Sequence, residues 1–242
     1  MAHTLLFLAL LPGIIIIIFI FRKDKVEHEP TSLIFRMVLL GAVSCAPAVF
    51  LEIFISSHGP VFPVGSVKYA VFEAFCVAAF CEELCKSALL WIGSWRNSHF
   101  DYRFDGIVYG VCVAVGFALL ENVMYVMGSG FETAIMRGIL AVPLHAFCGV
   151  FMGIFYGAAK KASIKGNSGI CIACTIMSLI VPMIIHGIYD TLAFIENPTS
   201  SIILLAFVAF MYYMAVKYVN KYSRDDWKSA FYYHKDDRFK LS

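Results

Sequence analysis

The chain has 242 residues, a mean hydropathy of +0.79 and a formal net charge of +2; 60% of its residues are hydrophobic and 15% are charged. This composition excludes a soluble globular domain, and so small a net charge gives no reason to expect a nucleic-acid partner. The eight cysteines lie within or beside apolar stretches, which argues against a disulfide-linked extracellular module. The sequence therefore predicts an all-α fold, a polytopic bundle of helices in a lipid bilayer.

Runs of apolar residues predict about seven transmembrane helices. In chain order they cover residues 4–21, 33–55, 67–92, 105–127, 136–159, 169–195 and 200–219. No connection between them is long enough for another folded domain. Residues 1–219 are therefore predicted to form a single transmembrane domain, and residues 220–242 a cytoplasmic tail of charged and aromatic residues.

Basic residues predict the orientation of these spans. Lysine and arginine gather beside the first, third and fifth connections and in the tail: Arg22, Lys23, Lys25, Arg36, Arg96, Arg103, Lys160, Lys161, Lys165, Lys217, Lys221, Arg224 and Lys228. The alternate connections carry only Lys68 and Arg137. Because basic residues remain preferentially on the cytoplasmic side, we expect the N-terminus outside and the C-terminus in the cytoplasm.

The third predicted span contains Glu82, Glu83 and Lys86 within one helical turn. An ionisable side chain at bilayer depth costs roughly 2.5–3.5 kcal/mol on insertion scales, so such residues need partners or a function. Lys86 is one turn from both carboxylates and can neutralise one of them. An ion pair between helices needs only one glutamate, so the second favours catalysis; ion transport is a further alternative.

Two later spans each carry another buried ionisable residue. In the fourth, Phe117 lies one turn from Glu121, and Asn122 is suited to hydrogen bonding across helices. Glu121 could instead serve only to pair with a histidine or lysine. In the fifth, His145 precedes a run of glycines at four-residue spacing that favours close helix packing. His145 either lines a site or is an ordinary core histidine.

The sixth span carries His186 and Asp190 on one helix face, where the carboxylate can orient the imidazole. A helical rise of about 1.5 Å per residue places this histidine in the middle or outer half of the bilayer. Glu82, Glu121 and His145 fall at the same depth. This convergence predicts one cavity that opens toward the exterior.

Glutamates and histidines in such a cavity can activate a water molecule. A desolvated carboxylate is suited to general-base catalysis, and a neighbouring histidine can stabilise an oxyanion. The same residue types bind zinc, although the H-E-x-x-H pattern is absent, as is a serine nucleophile motif. If a metal is present, its predicted ligands are Glu82, Glu121, His145 and His186.

Motifs that follow one another on successive predicted spans give the chain a family resemblance, among them the Asp105–Gly110 string and the His145 segment. Glu82-Glu83-Leu-Cys-Lys86 matches E-E-x-x-K, Phe117-Ala-Leu-Leu-Glu121 matches F-x-x-x-E, and His186-x-x-x-Asp190 follows in the same order. Over residues 73–192 the chain resembles the PrsW family of intramembrane endopeptidases. These are distant relatives of the CAAX prenyl endopeptidases and the bacteriocin-processing membrane proteases.

The resemblance implies a protease of the bacterial plasma membrane that makes the first, site-1 cut in a single-span membrane protein, such as an anti-sigma factor, on its extracytoplasmic side. Glu82 would activate water, with Glu83 and Lys86 holding its geometry and charge. His186 would assist the water or stabilise the oxyanion, and Asp190 would orient it. The resemblance implies no cofactor, and a divalent metal such as zinc stays an alternative.

Two other functions compete with proteolysis. A proton- or ion-coupled transporter also uses buried carboxylates and histidines, but such carriers often have duplicated halves and no internal repeat stands out. An inactive sensory or immunity protein could keep the same fold; the intact glutamate pair and His186 favour an active enzyme. No feature of the sequence predicts an oligomeric state.

Overall fold

The computed structural model describes the backbone of residues 2–239 and the side chains of residues 2–226, and this part of the chain is helical with no strand. The helices are α1 (Ala2–Lys23), α2 (Thr31–His58), α3 (Val67–Phe72), α4 (Phe80–Ser94), α5 (Arg103–Ser129), α6 (Phe131–Ile139), α7 (Ala141–Ile164), α8 (Ser168–Phe194) and α9 (Pro198–Phe239). A π-helical segment, Glu73–Ala79, joins α3 to α4 without a break. The predicted all-α class is confirmed.

Six membrane-length apolar helices are present within the described residues, with α6 and α7 counting as one stretch, Phe131–Ile164. They correspond to every predicted span except the third. That span is also helical, but the π segment divides it and it carries five charged residues. The end of the predicted tail, residues 240–242, lies outside the described residues, as do the side chains from residue 227 onward.

Helices α5 and α7 form the centre of the bundle. In the most apolar stretch of α5, 72% of the residues are buried, against 11% for α8 and 17% for α1. The outer helices leave isoleucine, phenylalanine and valine side chains on the surface, as expected for helices whose outer faces meet lipid. The central pair therefore forms the core against which the surrounding helices pack.

Glycines allow α5 and α7 to pack backbone against backbone. A Cβ atom on Gly106 would lie 2.7 Å from the carbonyl oxygen of Gly153 and 2.7 Å from the nitrogen of Gly157. A Cβ atom on Gly153 would overlap the backbone of Gly106 and Ile107. The glycine run of the fifth predicted span is thus a packing surface, as its spacing indicates.

The π segment directs the residues that follow it toward α8. Its widened geometry appears in the hydrogen bond from the Phe80 N–H to the Phe75 carbonyl, five residues earlier. The Phe75 ring lies against Gly187 of α8, where a Cβ atom would come within 2.5 Å of it. This contact brings the start of α4 beside His186. Single π turns of this kind are frequent at functional sites.

Replacement of Gly153 with alanine tests the close α5–α7 contact. We expect Gly153→Ala to lower the free energy of unfolding by about 1–3 kcal/mol, because the added methyl group must push apart two backbones. Gly128→Ala, in α5 with open space around the new methyl group, is the matched control and should not destabilise. Denaturant titration of the detergent-purified proteins measures both; equal stability of the two variants would contradict the packing described.

Candidate active site

The ammonium group of Lys86 lies at the centre of the buried polar cluster. Its Nζ donates to Glu82 Oε2 at 2.9 Å and to Glu83 Oε1 at 2.8 Å, the two carboxylates one turn earlier on α4. It also donates to Nδ1 of His145 on α7, at 3.0 Å. The ring of Phe117 on α5 lies beneath it, 4.0 Å from Nζ to the ring centre. The lysine side chain is fully buried, so all its charge is balanced by these neighbours.

His186 bridges the cluster to α8. Its Nδ1 lies 2.9 Å from Glu83 Oε1, and its Nε2 lies 3.2 Å from Asp190 Oδ2. Each ring nitrogen of His186 thus faces a carboxylate oxygen, an arrangement that suits a protonated ring because ionised carboxylates only accept hydrogen bonds. The distance from its Nδ1 to Glu82 Oε2 is 4.0 Å. The imidazole of His186 therefore also lies beside the glutamate pair.

His145 has a different hydrogen-bonding state. Its Nδ1 accepts from Lys86, because an ammonium group can only donate, and its Nε2 donates to Glu121 Oε2 at 2.9 Å. These two bonds define a neutral ring with the hydrogen on Nε2. The ring stands edge-on to that of His186, with 5.1 Å between centres, so the two histidines form adjacent walls of the site.

An arginine on α6 extends this network beyond Glu121. Arg137 on α6 pairs with Glu121 Oε2 at 2.8 Å and donates from Nε to Asn122 Oδ1 at 3.1 Å. Its guanidinium group lies 4.1 Å above the ring of Tyr125. Asn122 in turn donates to the Ala9 carbonyl of α1 at 2.8 Å. Arg137 and Asn122 thus connect the N-terminal half of α1, the C-terminal half of α5 and helix α6 to the site.

A cavity of about 460 Å³ leads to the cluster. Seven acidic, basic or histidine side chains line it: Glu52, Glu82, Glu121, Arg137, His145, His186 and Asp190. Glu83 and Lys86 do not line it, and the Glu83 side chain is fully buried while that of Glu82 is 9% exposed. Of the adjacent pair, Glu82 is therefore the carboxylate that a ligand in the cavity can reach.

The cavity lies toward the C-terminal ends of three helices that run in the same direction. Its wall includes Glu52 near the end of α2, Tyr125 near the end of α5 and Phe194 at the end of α8. Tyr125 is 51% exposed and Phe194 is 45% exposed, so these residues form its open edge. The predicted orientation puts all three helix ends on the extracytoplasmic side.

The structure brings together eight of the nine residues that the sequence singles out: Glu82, Glu83, Lys86, Phe117, Glu121, His145, His186 and Asp190. Asn122 is buried behind Arg137 and does not line the cavity. Sequence reasoning missed Glu52 and Arg137. Glu52 gave the same signal as Glu82, an acidic residue within an apolar span. Arg137 gives no such signal, because in the sequence it is a basic residue beside a connection between predicted spans.

The fold and cavity define a polytopic membrane protein with a buried ionisable site. The family model described as "PrsW family intramembrane metalloprotease" matches residues 29–217. Protease PrsW of Bacillus subtilis (strain 168) is 34% identical over 212 residues, which cover 87% of this chain and 91% of the relative. Protease PrsW of Geobacillus kaustophilus (strain HTA426) is 35% identical over 181 residues, or 75% and 76%.

The similarity also extends to the Protease PrsW of Clostridioides difficile (strain 630), which is 26% identical over 235 residues covering 96% of both chains. No solved structure matches the chain significantly. With a family model covering most of its length, the chain belongs to the PrsW family of intramembrane proteases. It is a multi-pass membrane protein with bacterial relatives.

The family description raises the question of whether the cluster can hold a metal ion. Four residues each offer a ligand atom, and these atoms all lie within 4.8 Å of one another: Glu82, Glu83, His145 and His186. Carboxylates and imidazoles are common zinc ligands, so the donor set fits a divalent cation, provided that the Lys86 ammonium moves aside. The sequence predicts Glu121 as one of the four ligands, but in the structure Glu83 takes that place. Glu121 instead accepts a hydrogen bond from Nε2 of His145.

Removal of the central cation tests how the cluster is held together. We expect Lys86→Met to lower the free energy of unfolding by about 3–5 kcal/mol, because Glu82 and Glu83 would lose their shared partner while staying buried. Lys68→Met, which removes an exposed lysine from α3, is the matched control. Denaturant titration in detergent measures both variants, and a Lys86→Met protein as stable as its control would contradict the central role of the ammonium group.

Proposed function

We propose that this protein is an intramembrane endopeptidase in which Glu82 activates water for hydrolysis of a peptide bond. The proposal rests on the different surroundings of the two adjacent glutamates. Glu82 lines the cavity, whereas Glu83 is fully buried and bonded to both Lys86 and His186. Family membership supports peptidase activity. Access from the cavity favours Glu82 over Glu83 as the reactive carboxylate.

In the proposed reaction, Glu82 accepts a proton from a water molecule in the cavity as that water attacks the peptide carbonyl. The bond from Lys86 to Glu82 Oε2 orients the carboxylate and leaves its other oxygen for water. Negative charge then develops on the carbonyl oxygen. The positive charge of Lys86, and that of His186 when its ring is protonated, are held in fixed positions nearby and stabilise the developing negative charge. Proton transfer from Glu82 to the departing amine completes the cleavage.

A bound divalent cation is compatible with this scheme. Glu82, Glu83, His145 and His186 would hold it, and it would supply polarisation of the water and of the peptide carbonyl. Lys86 would then move aside and the ligating nitrogens of His145 and His186 would carry no hydrogen, whereas Glu121 and Asp190 would keep their roles. Glu121 fixes the His145 ring through Nε2, and Asp190 fixes the His186 ring through its Nε2, as outer partners of ligating histidines commonly do.

The proposed topology has seven spans, with the stretch from α3 through α4 crossing the membrane as the seventh. This stretch covers residues 67–94 and packs between α2 and α8, both of which are apolar membrane-length helices. The side chains of Glu82, Glu83 and Lys86 turn inward to form the cluster. An odd number of crossings with basic connections in the cytoplasm puts the N-terminus outside and the C-terminus inside. The cavity then opens extracytoplasmically.

The proposed substrate is a single-span membrane protein, such as an anti-sigma factor, cut near the extracytoplasmic surface. A cavity of about 460 Å³ accommodates a few residues of extended chain and excludes a folded domain. A segment that leaves the bilayer at the open edge between α2, α5 and α8 would meet Glu82 without crossing the bundle. This supports cleavage close to the end of a substrate helix.

Reporter fusions test the seventh span. Alkaline phosphatase fused after Gly65 should be active, because the connection between α2 and α3 is proposed to be extracytoplasmic. The same enzyme fused after Asn97, beyond α4, should be inactive. Green fluorescent protein at each junction should give the reverse. Activity of the same reporter at both junctions would mean that residues 67–94 do not cross the membrane.

Loss of the reactive carboxylate tests the catalytic proposal. Glu82→Gln should reduce cleavage of a single-span reporter substrate at least about a hundredfold, because an amide cannot accept the proton from water. Glu132→Gln, an exposed position on α6 outside the cavity, should cleave as the unaltered protein does. Both variants should insert and accumulate normally. Substantial cleavage by Glu82→Gln would remove Glu82 from the role of base.

The same purified proteins in liposomes separate the metal-assisted and metal-free forms of the reaction. Cleavage that is lost with a chelator and restored by zinc, together with bound zinc in the metal analysis, supports the four-residue metal site. Cleavage that persists with the chelator supports Glu82 acting without a metal. Proton uptake into the liposomes without any substrate would favour a transporter over both.

A further inference from the structure

Ion pairing divides the carboxylates of the cavity into two groups. Four of them line it: Glu52, Glu82, Glu121 and Asp190. Glu82 is bonded to Lys86 at 2.9 Å and Glu121 to Arg137 at 2.8 Å. Asp190 lies 3.2 Å from Nε2 of His186. Among the described side chains, only Glu52 of these four has neither a hydrogen bond nor an ion pair.

Glu52 lies where an incoming chain would pass it. It is half-buried on α2, six residues before the helix ends at His58, and therefore on the side of the cavity's open edge. Glu52 lines the same cavity of about 460 Å³ as Glu82 and Glu121. Glu52 is thus close enough to the reactive carboxylate for one ligand to contact both.

The environment of Glu52 favours a cation. Within the described residues, Arg137 is the one lysine or arginine that lines the cavity, and its charge is already matched by Glu121 at 2.8 Å. An unmatched carboxylate at membrane depth is costly, and a positive group brought by a ligand offsets that cost. The tyrosine rings at positions 125 and 189 line the same cavity and can pack on the methylene groups of a long basic side chain.

We propose that Glu52 is a specificity-determining residue that binds a lysine or arginine side chain of the substrate, beside the bond that is cleaved. This inference rests on the proposed endopeptidase function and adds the substrate class: an extracytoplasmic segment next to the membrane with a basic residue at one fixed position from the cut. The basic group pairs with Glu52, and the neighbouring peptide bond lies over Glu82.

A library of single-span reporters tests this inference. Each reporter carries a randomised segment just outside its membrane helix, and the purified full-length protein cleaves the library in liposomes. Mass spectrometry of the products gives the cut sites and the residues around them. The variants are Glu52→Gln, Glu52→Lys and the control Glu132→Gln, which removes an exposed carboxylate outside the cavity.

The unaltered protein and the Glu132→Gln control should both select lysine or arginine at one position near the cut, by about tenfold over neutral residues, as expected for a close charge pair. Glu52→Gln should lose this selection while still cleaving neutral segments. Glu52→Lys should select aspartate or glutamate at the same position. If a Glu52 variant fails to accumulate, the preference of the unaltered protein alone decides the question.

Two results would overturn the inference, and they differ from failure of the proposed function. Cleavage by the unaltered protein with no basic preference would remove Glu52 from substrate selection, as would a basic preference that Glu52→Gln retains. In both cases the endopeptidase proposal stands. Absence of cleavage of every reporter would instead overturn the endopeptidase proposal, and the inference about Glu52 with it.

Discussion

The site depends on one buried cation, the ammonium group of Lys86. Its three hydrogen bonds join two carboxylates of α4 to His145 of α7, above the ring of Phe117 of α5. Loss of one partner from a buried charge cluster commonly costs about 3–5 kcal/mol, so this group fixes the relative positions of three helices. Glu83 extends the connection to α8 through His186. The same bonds leave Glu82 facing the cavity.

The helical frame makes this cluster possible by bringing backbones unusually close. The glycine contacts of α5 and α7 place Glu121 and His145 at matching depth on adjacent helices. On the other side, the π segment and its Phe75 ring seat α4 against Gly187 of α8. Charged groups that would be costly in lipid therefore face one another. The same helix contacts therefore pack the bundle closely and bring the buried charged side chains together.

Much of this arrangement follows from the sequence because it depends on local spacing. Apolar run length gives six of the spans, and steps of three or four residues pair Lys86 with its glutamates and His186 with Asp190. The π segment cannot be predicted from hydropathy, because its mostly apolar residues are equally typical of an ordinary α-helix. Pairings across helices, such as Arg137 with Glu121, depend on how helices are rotated against each other. Local spacing carries no information on that rotation.

The central claim is that carboxylates and imidazoles from separate helices meet at one cavity. An experimental structure of the protein in lipid nanodiscs, determined by electron cryomicroscopy, tests it most directly through one distance. We expect the Glu82 carboxylate to lie about 4 Å from the His186 ring, as its Oε2 does here at 4.0 Å from Nδ1, and to face a water-filled cavity. A map in which lipid or packed apolar side chains separate these two residues would contradict it.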